Sequence, residues 1–443
     1  MRLLILDYGG TGLDLAMRAQ EAGHHVKLCL KADKREQIGR GVVDVVTEFK
    51  PWLRWSDLTV VTDNTKYIAD LERHTAEGGL VVAPNQVTAA WEHERMVGQR
   101  VFTKAGISVL PAIEFHDYDE AIKFVKRTMG RFVSKPNGAT SNDKALSYCS
   151  SGPADMIYML ERWKKSNKLK NSFVLQEFMP GIEMGVSGWF GPEGFIGVWE
   201  ENFEFKKMMN DDMGVATGEQ GTILRYVRHS KLADLVLKPL EKQLKAQRYI
   251  GDVDVNCIID EKGTPWPLEF TTRLGWPAFQ LQMTLLKPGE DPLEWLYGLA
   301  IGQPHVPFLL GPLAIGVVLS VPDYPYSRMT GKEIVGIPIY GVTPKLRPHI
   351  HFSEAMWAEA PVEIGDRIEM RPMWVTAGDY VLTMTALAKT VQDAKTLVYR
   401  RLSRIKKRMP SSPMYRTDIG DRLSAQLPIL QKQGFAKGLK YSP

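Results

Sequence analysis

The chain has 443 residues, of which 44% are hydrophobic and 24% are charged, and it carries a formal net charge of +5. This length exceeds what one hydrophobic core supports, so the sequence predicts about three domains that meet at clefts. The ordinary composition excludes a disordered or fibrous protein. The weak positive charge is compatible with a phosphate-bearing substrate and does not require nucleic acid.

Two features bear on location and redox chemistry. The longest apolar run, Phe308 to Val321, is broken by glycine and proline and is too short to span a bilayer, so we expect no membrane segment. The N-terminus lacks the apolar core of a signal peptide, which favours a cytoplasmic protein. Cys29, Cys149 and Cys257 lack metal-ligand spacing, and we expect them to be buried free thiols.

Residues 1–100 predict a doubly wound α/β domain. The apolar run at 3–6 leads into the glycine-rich turn Asp7 to Gly12, and apolar residues then recur at helical spacing. Further strand candidates alternate with helical stretches, and they lie at 25–30, 58–62 and 80–83. Such alternation is typical of a parallel sheet covered by helices.

The remainder of the chain predicts three more parts. Residues 117–183 form a lid-like α+β unit, 101–116 together with 184–305 form a second sheet-and-helix core, and 306–443 form a C-terminal α+β domain. Helices are predicted near 231–247 and over Val391 to Lys407.

Two short segments have the composition of a nucleotide site. Lys135 ends a strand candidate and precedes a small polar loop whose amides are suited to phosphate oxygens. This loop is not a Walker loop, and an ordinary solvated lysine beside a turn explains it equally simply. In Gln176 to Glu183, backbone groups at Glu177 and Met179 are suited to an adenine edge and Glu183 to a ribose hydroxyl. The alternative is a strand that ends in a turn.

A stronger pattern lies near residue 260. Asp252, Asp254 and Asn256 alternate with apolar residues and therefore share one face of a strand. A turn then returns the chain to a second strand that carries Glu269. Oxygen ligands from neighbouring strands suit Mg²⁺, whereas the alternative is a pair of edge strands with solvated acids.

Taken in order, these motifs resemble the ATP-grasp enzymes, and among them glycinamide ribonucleotide synthetase (phosphoribosylamine–glycine ligase). Segment 268–280 is similar to the family's Leu-Glu-Phe-Asn-x-Arg-Phe-Gly-Asp-Pro-Glu-x-Gln, and segment 212–221 is similar to its Asp-x-Gly-x-Asn-Thr-Gly-Gly-Met-Gly. The other matching segments occur in the family's order, at 7–12, 176–183, 204–207, 376–382 and 415–420.

The resemblance implies an ATP-grasp fold in which 117–183 is the lid and 101–116 with 184–305 the core, between the two terminal domains. It implies ATP and Mg²⁺ or Mn²⁺ as cofactors. It also implies a reaction of purine biosynthesis, in which the carboxylate of glycine or another amino acid is activated as an acyl phosphate. A small, phosphorylated amine then captures this intermediate and forms an amide, with release of ADP and phosphate.

The resemblance also implies roles for individual residues. Those expected to act in catalysis are Lys135, Lys206 and Arg273. Those expected to bind ATP are Arg95, Lys135, Lys144, Gln176, Glu177, Phe178, Met179 and Glu183. Those expected to bind the other substrates are Gly10, Thr11, Asp212, Thr217, Gly218 and Trp276. Those expected to hold the metal are Glu269, Asn256 and Asp254.

The departures from the family concentrate in its metal and substrate segments. Thr271 replaces a metal-ligand asparagine, which makes Asn256 or Asp254 the second oxygen donor. The changes in the substrate segments are Trp276 and Ala278 for acids, Ala216 for asparagine, and Glu219 with Gln220 for Gly-Met. Because these changes alter pocket volume and hydrogen bonding, the acceptor amine need not be phosphoribosylamine.

Three functions therefore stay open: the family reaction, a specialised ligase that acts on a modified nucleotide amine, and an inactive nucleotide-binding relative. The expected partners are small-molecule carboxylate and amine substrates. A membrane is not expected, nucleic acid is disfavoured, and the chain is a monomer or a homodimer.

Two further patterns favour structural roles. His349 and His351 alternate on a strand candidate without a third metal ligand, although a substrate role stays open for His351. The basic run Arg400 to Arg408 fits a solvated helix face better than a nucleic-acid contact.

Overall fold

The computed structural model describes residues 1–7, 9–30, 37–62, 66–138, 147–166, 172–322, 324–326 and 331–443. The first elements follow the chain order β1 (Arg2–Asp7), α1 (Leu13–Glu21), β2 (His25–Leu30), β3 (Val45–Val46), α2 (Lys50–Leu53), β4 (Leu58–Val61), α3 (Ile68–Ala76), β5 (Val81–Val82), α4 (Gln86–His93) and α5 (Arg95–Lys104). Their strands form one parallel sheet in the order β3-β2-β1-β4-β5. The predicted doubly wound α/β fold is confirmed, with β3 as a two-residue strand that the sequence pattern did not indicate.

The next unit is a small antiparallel sheet with two helices. Its elements are β6 (Ala112–Phe115), α6 (Tyr118–Thr128), β7 (Phe132–Asn137), β8 (Tyr148–Cys149), α7 (Pro153–Lys165) and β9 (Ser172–Glu177). The strand order is β6-β9-β7-β8. Asp117 begins α6 because its carboxylate accepts from the Glu120 amide at 2.9 Å. Trp163 of α7 and Phe173 of β9 belong to a hydrophobic cluster of this unit that is separate from the main core. We keep the name lid, which is its predicted role, for this unit.

The largest sheet contains most of the remaining strands. The elements are β10 (Ile182–Gly191), β11 (Gly194–Phe195), β12 (Trp199–Lys207), β13 (Ala216–Val227), α8 (Glu241–Ala246), β14 (Gly251–Ile259), β15 (Pro265–Thr271), α9 (Ala278–Thr284), α10 (Pro292–Ala300), β16 (Leu313–Ser320), α11 (Gly331–Ile334), β17 (Ile350–Phe352), β18 (Ala355–Ile364), β19 (Arg367–Thr376), β20 (Tyr380–Ala388), α12 (Val391–Lys406) and α13 (Leu423–Lys432). The strand order is β15-β14-β10-β12-β13-β16-β20-β17, with β11 beside β10. Strands β18 and β19 form a separate hairpin.

This sheet continues across the predicted limit between 305 and 306, because Leu224 of β13 pairs with Ala314 of β16. The limits of the four predicted parts therefore remain predictions. The helices and strands within these parts are those given above. The apolar run from 308 to 321 contains β16, every residue of which is buried. Among the described helices, none combines the length and apolar character needed to cross a membrane.

Three predictions were wrong in detail. Cys149 is exposed, although Cys29 and Cys257 are buried as expected and all three are free thiols. His349 ends a 3₁₀ turn instead of sharing a strand with His351. The strands β12 and β13 were not predicted, because charged residues such as Glu201 interrupt the alternation of apolar and polar residues.

Candidate active site

The polar face of the large sheet forms the base of the site. Alternate residues of one strand project to the same side, so neighbouring strands contribute rows of polar side chains. These are Glu200, Asn202, Glu204 and Lys206 from β12, Asp252, Asp254 and Asn256 from β14, and Glu269 and Thr271 from β15. The register places Asn256 opposite Glu269 and Asp254 opposite Thr271. The hairpin predicted from the sequence is therefore present.

Three cations surround Glu269. Arg95, at the start of α5, donates to Glu269 Oε2 at 2.6 Å, and Lys206 Nζ lies 3.2 Å from Oε1. Burial by itself raises the pKa of Glu269, but Lys206, Arg95 and Lys135 together lower it well below its usual range. The carboxylate is therefore charged and held between elements that are distant in sequence.

Lys206 is itself held by several carboxylates. Its Nζ lies 2.8 Å from Glu183 Oε1 and 3.1 Å from Glu204 Oε2, besides its contact with Glu269. Burial disfavours the charged ammonium, but these acids raise the pKa of Lys206 well above its usual value. Glu183, which is predicted to bind ATP, accepts from Lys206 through one of its two carboxylate oxygens in this structure.

Lys135 approaches the same centre from the lid. Its Nζ donates to the carbonyl of Leu268 at 3.3 Å, and Arg95 N–H donates to Asn137 Oδ1 at 2.7 Å, which joins α5 to β7. Burial lowers the pKa of Lys135 to about 8, against the attraction of Glu269. Arg95, Lys135, Lys206 and Glu269, which we call the nucleotide side, thus form one charge cluster.

The residues expected to hold a metal present unused oxygen acceptors. Asp254 and Asn256 are each more than nine-tenths buried, and among the described residues neither Oδ1 atom has a hydrogen-bond partner. The other oxygen of Asp254 accepts from Asn202 at 2.6 Å. Within the described ranges no group of three or more His, Cys, Asp or Glu is placed to bind a metal. With their unpartnered oxygens, Asp254 and Asn256 fit an Mg²⁺ ion, which takes few protein oxygens and completes its ligands with phosphates and water.

The predicted adenine segment lies where the lid sheet ends. The amides of Glu177 and Phe178 donate to the carbonyls of Pro111 and Arg131 at 2.9 and 3.0 Å. These two amide donors are committed within the small sheet and are therefore not available to an adenine edge. The Arg131 guanidinium stacks on the Phe178 ring at 3.4 Å. Gln176 is buried in the same strand, and Lys144 lies outside the described residues.

Arg273 follows β15 and is oriented by an acid that the sequence did not single out. Its guanidinium lies 3.3 Å from Glu92 Oε1 and donates to the carbonyl of Leu274 at 3.1 Å. The second oxygen of Glu92 accepts from the amide of Thr272 at 2.9 Å. One glutamate on α4 therefore fixes the turn that carries Arg273, and a single acid in a helix carries no sequence signal for this role.

The predicted substrate loop between β12 and β13 is held by the C-terminal segment. Arg416, whose side chain is 1% exposed, donates to Asp212 Oδ1 at 2.8 Å, and Arg422 donates to Oδ2 at 3.0 Å. The carboxylate of Asp212 therefore fastens the loop in this structure. Thr217 donates to the carbonyl of Lys206 at 2.8 Å, and Gly218 is exposed.

The N-terminal glycine turn is occupied by a side chain of the protein. Asp7 Oδ1 accepts from the Gly9 amide at 3.1 Å and from the Thr11 hydroxyl at 3.0 Å, and Oδ2 accepts from the Gly12 amide at 2.9 Å. Gly10 has a φ of +83°, and a Cβ there would lie 2.8 Å from the carbonyl oxygen of Ser353. Gly10 and Thr11 thus stand at a tightly packed turn.

His351 belongs to a buried polar network and not to the nucleotide side. Its Nδ1 lies 2.7 Å from Asp14 of α1, and its Nε2 lies 2.9 Å from Thr284 of α9. Burial lowers the pKa of His351 even though Asp14 opposes this. The network joins the N-terminal sheet to the C-terminal part of the large sheet. Arg401 of the basic run donates to the carbonyl of Thr385 at 2.6 Å.

Comparison with known proteins is consistent with this geometry. No protein-family model matches the sequence. The phosphoribosylamine–glycine ligase of Leifsonia xyli subsp. xyli is 26% identical over 445 residues, covering 95% of this chain and 100% of that protein. The solved phosphoribosylamine–glycine ligase of Thermotoga maritima has a TM-score of 0.68 at 18% identity, covering 94% of this chain and 100% of that one.

A more distant solved structure has the same fold and contains nucleotide. It is the biotin carboxylase domain of 2-oxoglutarate carboxylase from Hydrogenobacter thermophilus, in complex with ADP, its magnesium salt and bicarbonate. Its TM-score is 0.58 at 12% identity, and the match covers 93% of this chain and 91% of that one. The chain therefore has the ATP-grasp fold, and over nearly its whole length it is similar to phosphoribosylamine–glycine ligases.

Proposed function

We propose that the protein is an ATP-dependent carboxylate–amine ligase that forms an amide through an acyl phosphate and releases ADP and phosphate. One observation carries the proposal: Lys135 from the lid, Arg95 from α5 and Lys206 from β12 converge on Glu269 of β15. Three cations around one carboxylate can hold the oxygens of a transferring phosphoryl group once that carboxylate binds a metal.

The residues of the site have different proposed roles in this reaction. Lys135 and Arg95 bind phosphate oxygens, and Arg273, held by Glu92, orients the negative oxygens of the acyl phosphate. Glu269 with Asn256 or Asp254 would hold Mg²⁺, which supplies charge neutralisation at the phosphoryl group. The substrate carboxylate attacks the γ-phosphorus, ADP leaves, and a neutral amine then displaces phosphate from the acyl carbon. No protein nucleophile takes part.

The relatives are named for phosphoribosylamine and glycine, so these are the first substrates to test. Residues Glu219 and Trp276 favour a second candidate within the same reaction class, a ligase for another amine such as a modified nucleotide. We also propose that the protein is cytoplasmic and is a monomer or a homodimer.

The test is ADP release by the full-length protein supplied with ATP, Mg²⁺, glycine and phosphoribosylamine. We expect ADP formation that needs both the amino acid and an amine, and we expect Lys135→Ala to abolish it while the protein stays folded. Glycinamide ribonucleotide formed at the rate of ADP release would reject the second candidate. Binding of ATP without any amine-dependent ADP formation across a panel of amines would show an inactive nucleotide-binding relative.

A further inference from the structure

Several residues that depart from the family segments gather at one place beside the nucleotide side. The ring of Trp276 lies 4.0 Å from that of Tyr380, and Tyr324 meets Tyr380 edge-on at 5.5 Å between ring centroids. Gln220 Nε2 donates to the Tyr324 hydroxyl at 3.3 Å. We call Trp276, Tyr324 and Tyr380 the aromatic cluster.

Glu219 adds a buried carboxyl group to this cluster. Its side chain is 5% exposed, and its Oε1 has no hydrogen-bond partner among the residues that the structure describes. Burial, Tyr324 and then Glu219 raise the pKa of Tyr380, which links the carboxyl electrostatically to the aromatic cluster. The Oε1 atom of Gln220, which is 0% exposed, likewise lacks a donor in the described part of the chain. Two buried acceptor oxygens beside aromatic rings thus have no hydrogen-bond donor among the described residues.

The surroundings of the cluster are acidic. Burial first, and then Asp379 and Glu354, raise the pKa of Tyr324, against hydrogen bonds from Thr217 and Gln220. Burial and three neighbouring carboxylates raise the pKa of Glu219 well above its usual value, and Lys206, which opposes this, already contacts three other carboxylates. A cation beside Glu219 would stabilise its ionised form. A ligand that enters here therefore meets several carboxyl groups without a dedicated cation and aromatic faces, which together favour an organic cation.

A second observation concerns anionic substrate groups and lies at the N-terminal turn. The glycine turn after the first strand of a doubly wound sheet commonly binds an anionic group through its amides. Here Asp7 already accepts from the amides of Gly9 and Gly12 and from the hydroxyls of Thr11 and Thr62. A phosphate at this turn would compete with a buried carboxylate for the same donors.

We propose that Glu219, Gln220 and the aromatic cluster form a subsite that binds a substrate through a positively charged ammonium group. The inference rests on the ligase function proposed above and names the charge class of one of its substrates. The attacking amine must be neutral, so the bound ammonium is either the α-ammonium of the amino acid or a second amino group on the acceptor. Both sources present the same ammonium group. They differ in which of the two substrates Glu219 binds.

The first experiment measures binding to the full-length protein by calorimetry, with glycinamide and benzylammonium as cationic probes and N-acetylglycine as an anionic one. We expect the cations to bind and Glu219→Gln to weaken them at least tenfold, while Mg-ADP binding, the check on folding, is unchanged. Trp276→Leu should weaken benzylammonium most. Glu363→Gln, an exposed acid on the β18–β19 hairpin, is the matched control. Cation binding that is absent, or equal in the wild type and Glu219→Gln, overturns the subsite.

The second experiment assigns the source by turnover. If the amino acid supplies the ammonium, Glu219→Gln raises its KM at least tenfold and N-acetylglycine is not a substrate. If the acceptor supplies it, the KM of a diamine rises and that of the amino acid does not. Unchanged KM values, with Lys135→Ala inactive, refute the subsite and leave the ligase intact. Failure of the wild-type protein to form ADP with any pair refutes the ligase, and the binding measurements still decide the subsite.

Discussion

The two sides of the site differ in how their charges are matched. On the nucleotide side, Glu269 contacts Arg95 at 2.6 Å and Lys206 at 3.2 Å, and Lys135 acts on it from the lid. On the substrate side, which consists of Glu219, Gln220 and the aromatic cluster, buried acceptors lack donors among the described residues. Matched charges fit a step common to the whole fold, phosphoryl transfer. Unmatched acceptors indicate the place where one particular ligand completes the site.

Glu269→Ala removes the centre of the matched side and should have the largest effect. We expect ADP formation to fall about a thousandfold, or ~4 kcal/mol of transition-state stabilisation, because the cations lose their common partner and the metal its carboxylate. A coupled assay for ADP measures the effect, and Glu363→Ala is the control on an exposed acid. Residual activity above about a tenth of the wild type would place the phosphoryl-transfer centre elsewhere.

Arg416→Met tests the support of the substrate loop. The buried guanidinium makes two bonds to Asp418, at 2.8 and 2.6 Å, and one to Asp212 at 2.8 Å. Breaking this network should lower the free energy of unfolding by about 2 to 4 kcal/mol, because partly buried carboxylates lose their partner. It should also raise the KM of a substrate more than that of ATP.

Denaturant titration measures the loss of stability, and Arg371→Met is the matched control. Arg371 lies on the exposed hairpin and pairs only with Glu369 among the described ion pairs, so its replacement should change stability by less than about 0.5 kcal/mol. Equal losses in the two variants would contradict the role assigned to Arg416.

Gly185→Ala tests the packing of the polar sheet face that carries both sides of the site. A Cβ at this position would lie 2.0 Å from Asn202 Oδ1 and 2.8 Å from Asn256 Oδ1. The Asn202 amide must move and lose its bond to Asp254, so we expect a loss of about 1 to 3 kcal/mol and a higher Mg²⁺ requirement. Gly152→Ala is the control, since a Cβ there has no heavy atom within 4 Å. An unchanged unfolding midpoint would show that the asparagines reorient freely.

The sequence predicted the matched side better than the unmatched one. Residues such as Lys135 and Glu269 lie in strands with clear apolar alternation, so both strands could be predicted from the sequence. The Asn256 and Glu269 pairing followed from a short hairpin, which is a local feature. The three-way contact of Lys206 was not readable, because β12 carries charged residues on a buried face and looks like a loop.

The partners on the unmatched side are distant in sequence. Tyr324 and Tyr380 reach Trp276 only because β16 and β20 extend the large sheet past β13. Glu92 and Arg416 are single charged residues in a helix and a loop, and such a residue gives no periodic signal. Departures from the family segments marked the region, but only the fold showed which of them come together.

The smallest predicted effect concerns the proton on Lys135. Burial lowers the pKa of this ammonium to about 8, and Glu269 opposes the shift. Below pH 8 the amine is charged and can pair with phosphate, whereas above pH 8 nucleotide binding must first take up a proton. We therefore expect the affinity for Mg-ADP to be constant up to about pH 8 and to fall by at most tenfold per pH unit above it. Calorimetry at pH 7, 8 and 9 measures this.

Loss of the Lys135 proton changes stability in the opposite direction to nucleotide affinity. This combination distinguishes Lys135 from other titratable groups. Because the pKa of a free lysine is about 10.4, the unfolded chain binds more protons between pH 8 and 10 than the folded one. The Lys135 contribution to the free energy of unfolding should therefore increase with pH in this window, by at most ~1.4 kcal/mol per unit, while nucleotide affinity decreases. Lys135→Met should abolish both trends. Trends that persist in this variant would assign the titration to another group and leave Lys135 charged throughout.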